Sequence, residues 1–151
     1  MEGQAVTTAA ITDNVAITHE YFRLLDAGSP DLLSLFTPDF EFYYPKYGRG
    51  QGAEQLLEVV AGLSKRVASF VHDYSDYLFV VQGDHVVVEG TTHGVLTNGD
   101  TWAAGETPCG RFCNVYKFRD GKIARLAIYL DMDYLNEAEG AFLWGKEGRR
   151  W

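Results

Sequence analysis

RFCNVYKFRDGKIARLAIYLD, residues 111–131, reads as two strands folded back on one another. Apolar and polar residues alternate along each half, the period-2 signature of half-buried strands. Arg119-Asp120-Gly121-Lys122 between them is a tight turn, and so short a connection joins antiparallel neighbours. On the first strand Phe112, Asn114 and Tyr116 share one face. On the second, Leu126, Ile128 and Leu130 form an apolar set directed inward, with Arg125, Tyr129 and Asp131 pointing away.

The same grammar extends back along the chain. Strands are predicted near 71–82, 85–97, 101–104, 110–118 and 122–131, separated by Gln82-Gly83-Asp84, Asn98-Gly99-Asp100 and the 119–122 turn. Upstream the period changes. Val15, His19, Phe22 and Leu25 recur at helical spacing, predicting a helix from Thr12 to Ala27 with Gly28 at its C-terminal boundary. Ser29 caps a short second helix with Pro30 in its first turn and Leu32, Leu33, Leu35 and Phe36 on its apolar face, stopped by Thr37-Pro38. Phe40 to Tyr44 alternates as a strand, Lys46 to Gly52 is a glycine-rich loop, and a third helix runs from Ala53 to Ala68 with Leu56, Leu57, Val60 and Leu63 buried. A last short helix is expected from Tyr134 to Phe142, before a tail containing Trp144 and Trp151. Helices gathered on one side of an antiparallel sheet make an α+β layer, and a strongly bent sheet leaves a pocket between the two.

Composition narrows the function. The chain has 151 residues, enough for one domain, and 14% of them are aromatic, a supply that fits either a bulky core or a lined concave site. Its net charge of −8 disfavours nucleic acid and anionic membranes as partners. No apolar run approaches the roughly 18 residues of a membrane span, and Met1 to Asn14 lacks the pattern of a signal peptide, so the expected location is the cytoplasm. Cys109 and Cys113 sit four apart on one face of a predicted strand, too far to bond, and read as free thiols. His19, His72, His85 and His93 show no metal-ligand spacing, and no dinucleotide fingerprint or nucleophile elbow is present, so neither metal nor cofactor is expected.

The order helix, helix, strand, helix, antiparallel strands resembles the nuclear transport factor 2-like superfamily over residues 12 to about 135. That group includes ketosteroid isomerase, scytalone dehydratase, limonene epoxide hydrolase and SnoaL-like polyketide cyclases. Two stretches carry the resemblance: Phe118-Arg119-Asp120-Gly121-Lys122-Ile123 leading to Tyr129-Leu130-Asp131, and Phe42-Tyr43-Tyr44-Pro45 followed by glycines and a helix. It implies a single domain spanning 1–151, a cone-shaped α+β barrel whose bent antiparallel sheet wraps three helices, with a C-terminal helix and tail over 134–151. The fold alone does not fix a chemistry, because it hosts enzymes, binding proteins and assembly modules.

Site residues follow from the resemblance residue by residue. Asn114 falls where ketosteroid isomerase-like enzymes carry the protonated Asp of an oxyanion hole, and Tyr21 where they carry the hydrogen-bonding Tyr; both can donate to an oxygen. Their general base aligns with Tyr44, a poor base near neutral pH. The limonene epoxide hydrolase acid aligns with Ile128, which argues against that mechanism. His72 falls about where scytalone dehydratase-like enzymes place a pocket histidine and is the candidate base. His93, in register with Glu89 and Thr91, is aligned with pocket-facing positions. Tyr44, His93, Trp102, Phe112, Tyr116, Leu126, Ile128 and Leu130 are the expected substrate-binding residues. A strand histidine also serves simply as a packing residue, so three functions stay open. One is a cofactor-independent isomerase, dehydratase or cyclase acting on a small apolar carbonyl- or hydroxyl-bearing metabolite, such as a polyketide or terpenoid. The second is a binding protein with the same pocket. The third is an assembly module that pairs through the exposed sheet face, which would lead if no cavity were accessible. A homodimer through the outer sheet face is expected, where Val86 and Val88 would otherwise be exposed.

Overall fold

The structure is a computed structural model and describes residues 8–135, 137 and 138. Helix α1 (Thr8–Asp26) is followed by a 3₁₀ turn (Pro30–Leu35), strands β1 (Phe36–Tyr44) and β2 (Gly48–Gln51), and helix α2 (Gly52–Leu63). Strands β3 (Val67–His72), β4 (Leu78–Gln82), β5 (His85–Leu96), β6 (Thr101–Ala103), β7 (Arg111–Arg119) and β8 (Lys122–Leu130) complete it. All eight strands join one bent sheet in the order β2-β1-β8-β7-β5-β3, with β4 and β6 also on β5. None of the described helices is long and apolar enough to cross a membrane.

The last hairpin forms as expected: Asn114 lies opposite Ile128, Phe112 opposite Leu130 and Tyr116 opposite Leu126. Ser29 accepts a hydrogen bond from the Asp31 N–H, and Gly28 takes φ +60° at the end of α1. Several features differ from expectation, the first being that β1 starts at Phe36, expected on the second helix, and takes in Thr37-Pro38. The predicted 71–82 strand is two strands, β3 and β4, broken by a turn at Tyr74–Asp76; both lie antiparallel to β5. The glycine-rich segment after Pro45 supplies a strand rather than a loop, because Gly50 lets β2 approach Phe42; a Cβ there would come within 2.2 Å of the ring. β1 pairs with β8 in parallel, which only the long path through the rest of the chain makes possible. On α2, Val59 is buried while Leu57 and Val60 are exposed, and β3 begins at Val67 within the stretch expected to be helix.

Strand β5 organises the interior. Residues 86, 88, 90, 92, 94 and 96 face the helices, since Val86, Val88 and Gly90 lie opposite Tyr116, Asn114 and Phe112, and Thr92 lies opposite His72. Val86 and Val88, expected on the outer face, are therefore fully buried. The expectation had the strand turned by one residue, and in a period-2 element such a slip exchanges every side chain between faces. Two glycines on the inner face seat aromatic rings: a Cβ on Gly90 would meet Tyr77 and Phe112, and one on Gly94 would come within 2.2 Å of Trp102. Two apolar clusters result. One contains Tyr21, Phe22, Phe112, Tyr116 and Leu126; the other contains Leu96, Trp102, Cys109 and Tyr134, with Phe70 packed against it.

Cys109 lies before β7, buried in the second cluster, rather than on the strand beside Cys113; both thiols are free. Of the helix expected over 134–142, Tyr134 and Leu135 form a turn. Phe142, Trp144 and Trp151 lie outside the described residues.

Candidate functional site

His72 ends β3 and Asp26 ends α1, and the two meet where the sheet passes the end of the helix. His72 Nδ1 lies 2.5 Å from Asp26 Oδ1, and the side chains are 7% and 13% exposed. The other carboxylate oxygen accepts two further hydrogen bonds, from the His72 backbone N–H at 3.1 Å and from the Tyr74 hydroxyl at 3.0 Å. The imidazole is walled by Phe22 (4.7 Å between ring centres), Phe112 (5.1 Å) and Phe70 (5.4 Å). Phe22 and Phe112 belong to one apolar cluster and Phe70 to the other, so His72 stands at the seam between them.

A carboxylate at the C-terminal end of a helix opposes the helix dipole and needs compensation. Burial raises the Asp26 pKa, but hydrogen bonds from the His72 ring and backbone, its charge and Tyr74 outweigh it, and the net shift is downward. An ionised Asp26 only accepts, so the Nδ1 hydrogen is the one donated. The Nε2 lone pair is left for exchange, and no described residue hydrogen-bonds that atom. Carboxylate, imidazole and free lone pair form an oriented general base.

The tyrosines around it hydrogen-bond but do not ionise near neutral pH. Burial raises Tyr21, Tyr44, Tyr77 and Tyr116 well above the ordinary phenol value, and lifts Tyr134 to about 12. Burial also pushes the Cys109 thiol up to about 12 and raises Cys113, so neither is a ready nucleophile.

Tyr21 and Asn114 are buried on the same side of the sheet as His72 but do not join it. Tyr21 packs edge-on to Tyr116 at 5.4 Å and to Phe22 at 5.2 Å, while Asn114 donates to the Tyr116 hydroxyl at 3.0 Å. Phe22 and Phe112, both in ring contact with His72, stand between the two groups. Among described residues the Asn114 carbonyl has no partner, nor has the Tyr77 hydroxyl. Leu126, Ile128 and Leu130 line the inner face in register with Tyr116, Asn114 and Phe112. Trp102 is buried in the second cluster, donates to Thr92 at 3.3 Å and packs at a tilt against Tyr134, with 4.6 Å between ring centres.

His93 is the site residue that the structure moves elsewhere. Because Thr92 faces inward beside His72, His93 faces outward; it is half-exposed and bonds Asp73 at 2.9 Å. It borders an open outer cleft of about 570 Å³ with Val71, Val95 and Thr101. Asp26, Tyr74 and Phe22 escaped the sequence reading of the site. The available signal was an acidic residue in the last turn of α1, where a cation is favoured. Among the described residues no group of three or more His, Cys, Asp or Glu could hold a metal ion.

Residues 18–126 match the family described as the SnoaL-like domain. The chain belongs to that family. Solved structures share the SnoaL-like fold at low identity. A protein of Xanthomonas campestris named as a candidate polyketide cyclase is 17% identical, with 82% of this chain and 94% of that one covered and a TM-score of 0.70. A nuclear transport factor 2-like protein of Anabaena variabilis is 19% identical, with 87% and 98% covered and a TM-score of 0.68. TerC, co-crystallised with polyporic acid, is 22% identical, with 79% and 92% covered and a TM-score of 0.67. No curated protein sequence matches this SnoaL-like chain.

The depressed Asp26 pKa has a stability consequence. Its stabilisation is complete above the unfolded-state value near 4 and is lost as pH falls through the lower folded value. In urea titrations the stability advantage of the wild type over Asp26→Asn is expected to be full at pH 6–7 and to shrink below about pH 4. A gap that stays constant across that range would show that Asp26 has no depressed pKa.

Proposed function

We propose that this SnoaL-like protein is a cofactor-independent acid–base catalyst in which His72 is the proton-transfer residue and Asp26 its buried partner. The observation that carries this is the short Nδ1–carboxylate contact, with Nε2 left unpaired among the described residues at the seam of two aromatic clusters. Nε2 takes a proton from an acidic C–H or O–H of the bound compound, Asp26 stabilises the imidazolium, and the same nitrogen returns the proton to another atom. Returned to a second carbon the proton completes an isomerisation, to a departing hydroxyl it releases water in a dehydration, and to the alkoxide formed by carbon–carbon bond formation it completes an aldol-type cyclisation, none with a net change of oxidation state. Phe22, Phe70 and Phe112 pack around the imidazole, an apolar setting that suits a small polyketide- or terpenoid-like molecule bearing a carbonyl or hydroxyl. The candidate polyketide cyclases among the structural neighbours, and a neighbour crystallised with polyporic acid, fit that class. Tyr21 and Asn114 support the wall through Tyr116; either would reach the substrate oxygen only with Phe22 or Phe112 displaced.

One observation favours the alternative of binding without turnover: Tyr21 and Asn114, the expected oxygen donors, are engaged with Tyr116 and make no hydrogen bond to His72 among the described residues. Replacing His72 by Gln separates the two. With a hydroxylated aromatic ketone that raises the melting temperature, His72→Gln is expected to lower turnover at least about 100-fold while binding persists. Unchanged turnover would remove His72 from the mechanism, and a compound that always emerges unaltered would favour the binding protein.

The protein is further proposed to pair with a second copy through the outer sheet face. There Val80, Val87, Val115 and Ala127 lie side by side across four strands, and Leu78 and Tyr129 are exposed beside them. Charged residues, Glu41 with Arg125 and Lys117, border that row, a polar rim around an apolar centre. Val80→Lys is expected to convert a dimer to a monomer in sedimentation velocity; a wild type that sediments as a monomer would exclude the pairing.

A further inference from the structure

The turn between β3 and β4 reaches both faces of the sheet. On the outside, Asp73 bonds His93 at 2.9 Å, and the Thr91 hydroxyl lies 3.1 Å from carboxylate oxygens of both Asp73 and Asp76. The Asp73 backbone N–H also donates to the Thr91 carbonyl at 2.9 Å, and the Asp76 N–H to the Asp73 carbonyl at 3.0 Å. These bonds fix the turn at both ends of its 3₁₀ segment, Tyr74–Asp76. On the inner side of that segment, Tyr74 donates to Asp26 Oδ2 at 3.0 Å and packs against Tyr77 at 5.5 Å.

We propose that Tyr74 is a positioning residue that sets the tautomer of His72 by clamping the Asp26 carboxylate. The inference rests on the acid–base reading of His72 but uses a different observation. Asp26 Oδ1 can point at Nδ1 only while the carboxylate plane is held, and the hold is applied at Oδ2. Two donors converge there, the His72 peptide N–H and the Tyr74 hydroxyl. The peptide donor belongs to the residue being oriented, so it cannot by itself fix the ring relative to α1. Tyr74 is the independent donor, carried on a turn anchored from the opposite face of the sheet. Without its hydroxyl the carboxylate rotates, the Nδ1–H bond loosens, and hydrogen is free to move to Nε2, the atom the base needs empty. Tyr74 itself touches no substrate in this account.

The ¹⁵N chemical shifts of the His72 ring report the tautomer directly, without any substrate. In its neutral ring form the wild type is expected to show a protonated Nδ1 and an unprotonated Nε2. Tyr74→Phe removes one oxygen from a half-exposed side chain and is expected to keep the fold while moving the ring to a mixture with substantial Nε2–H. Tyr74→Leu is expected to do the same, and Asp26→Asn to abolish the Nδ1–H preference altogether. A Tyr74→Phe or Tyr74→Leu protein whose His72 shifts equal those of the wild type would overturn the assignment. Turnover plays no part in this readout. A protein that binds without reacting would still show the tautomer change, and an active enzyme with an unmoved tautomer would refute Tyr74 alone.

Discussion

A carboxylate placed at the wrong end of a helix dipole is the constraint on which the site depends. Asp26 closes α1 partly out of water, and only donors from outside the helix make that position tolerable. His72 provides two of them, one from its ring and one from its backbone, and Tyr74 provides the third. The need is mutual. The carboxylate holds the imidazole in one orientation, and the imidazole and its neighbours keep the carboxylate ionised. The link also ties α1 to the first strand of the sheet, so the chemistry of the site and the closure of the helix against the sheet share one contact.

The sheet prepares this contact through β5. Gly90 and Gly94 leave room on the inner face for Tyr77 and Phe112 at one place and for Trp102 at another, with Thr92 between them opposite His72. A Cβ at either glycine would collide with these rings. Between the two aromatic clusters His72 meets Phe22 and Phe112 of one and Phe70, which packs on the other. A polar, orientable group between apolar walls is what a small ligand with one reacting oxygen or C–H calls for.

Much of this was legible in the sequence, and the failures have a physical pattern. The hairpin 111–131 could be read because period-2 alternation and a tight turn are local signals, and its inward set, Phe112, Asn114, Tyr116, Leu126, Ile128 and Leu130, was assigned correctly. The SnoaL-like resemblance was legible for the same reason. β5 was misread because valines occupy both faces at 86–88 and glycines replace the apolar residues that would mark the inner face at 90 and 94. That single change of parity moved His93 inward and Val86 and Val88 outward. Asp26 was missed because its partner is 46 residues away and no local pattern links them. His72 was named without it, and Phe22 and Phe112, which pack against its ring on the side of Tyr21 and Asn114, are placed there by tertiary packing that no local pattern reveals.

If His72 is the proton-transfer residue, a small molecule must be held and deprotonated at the seam beside it. A crystal structure with a bound hydroxylated aromatic ketone tests it most directly. A ligand oxygen or acidic carbon is expected within about 3–3.5 Å of His72 Nε2, between the rings of Phe70 and Phe112, with the Asp26 contact intact. A ligand seated elsewhere, or a His72 Nε2 capped by a protein group while the ligand is bound, would contradict it.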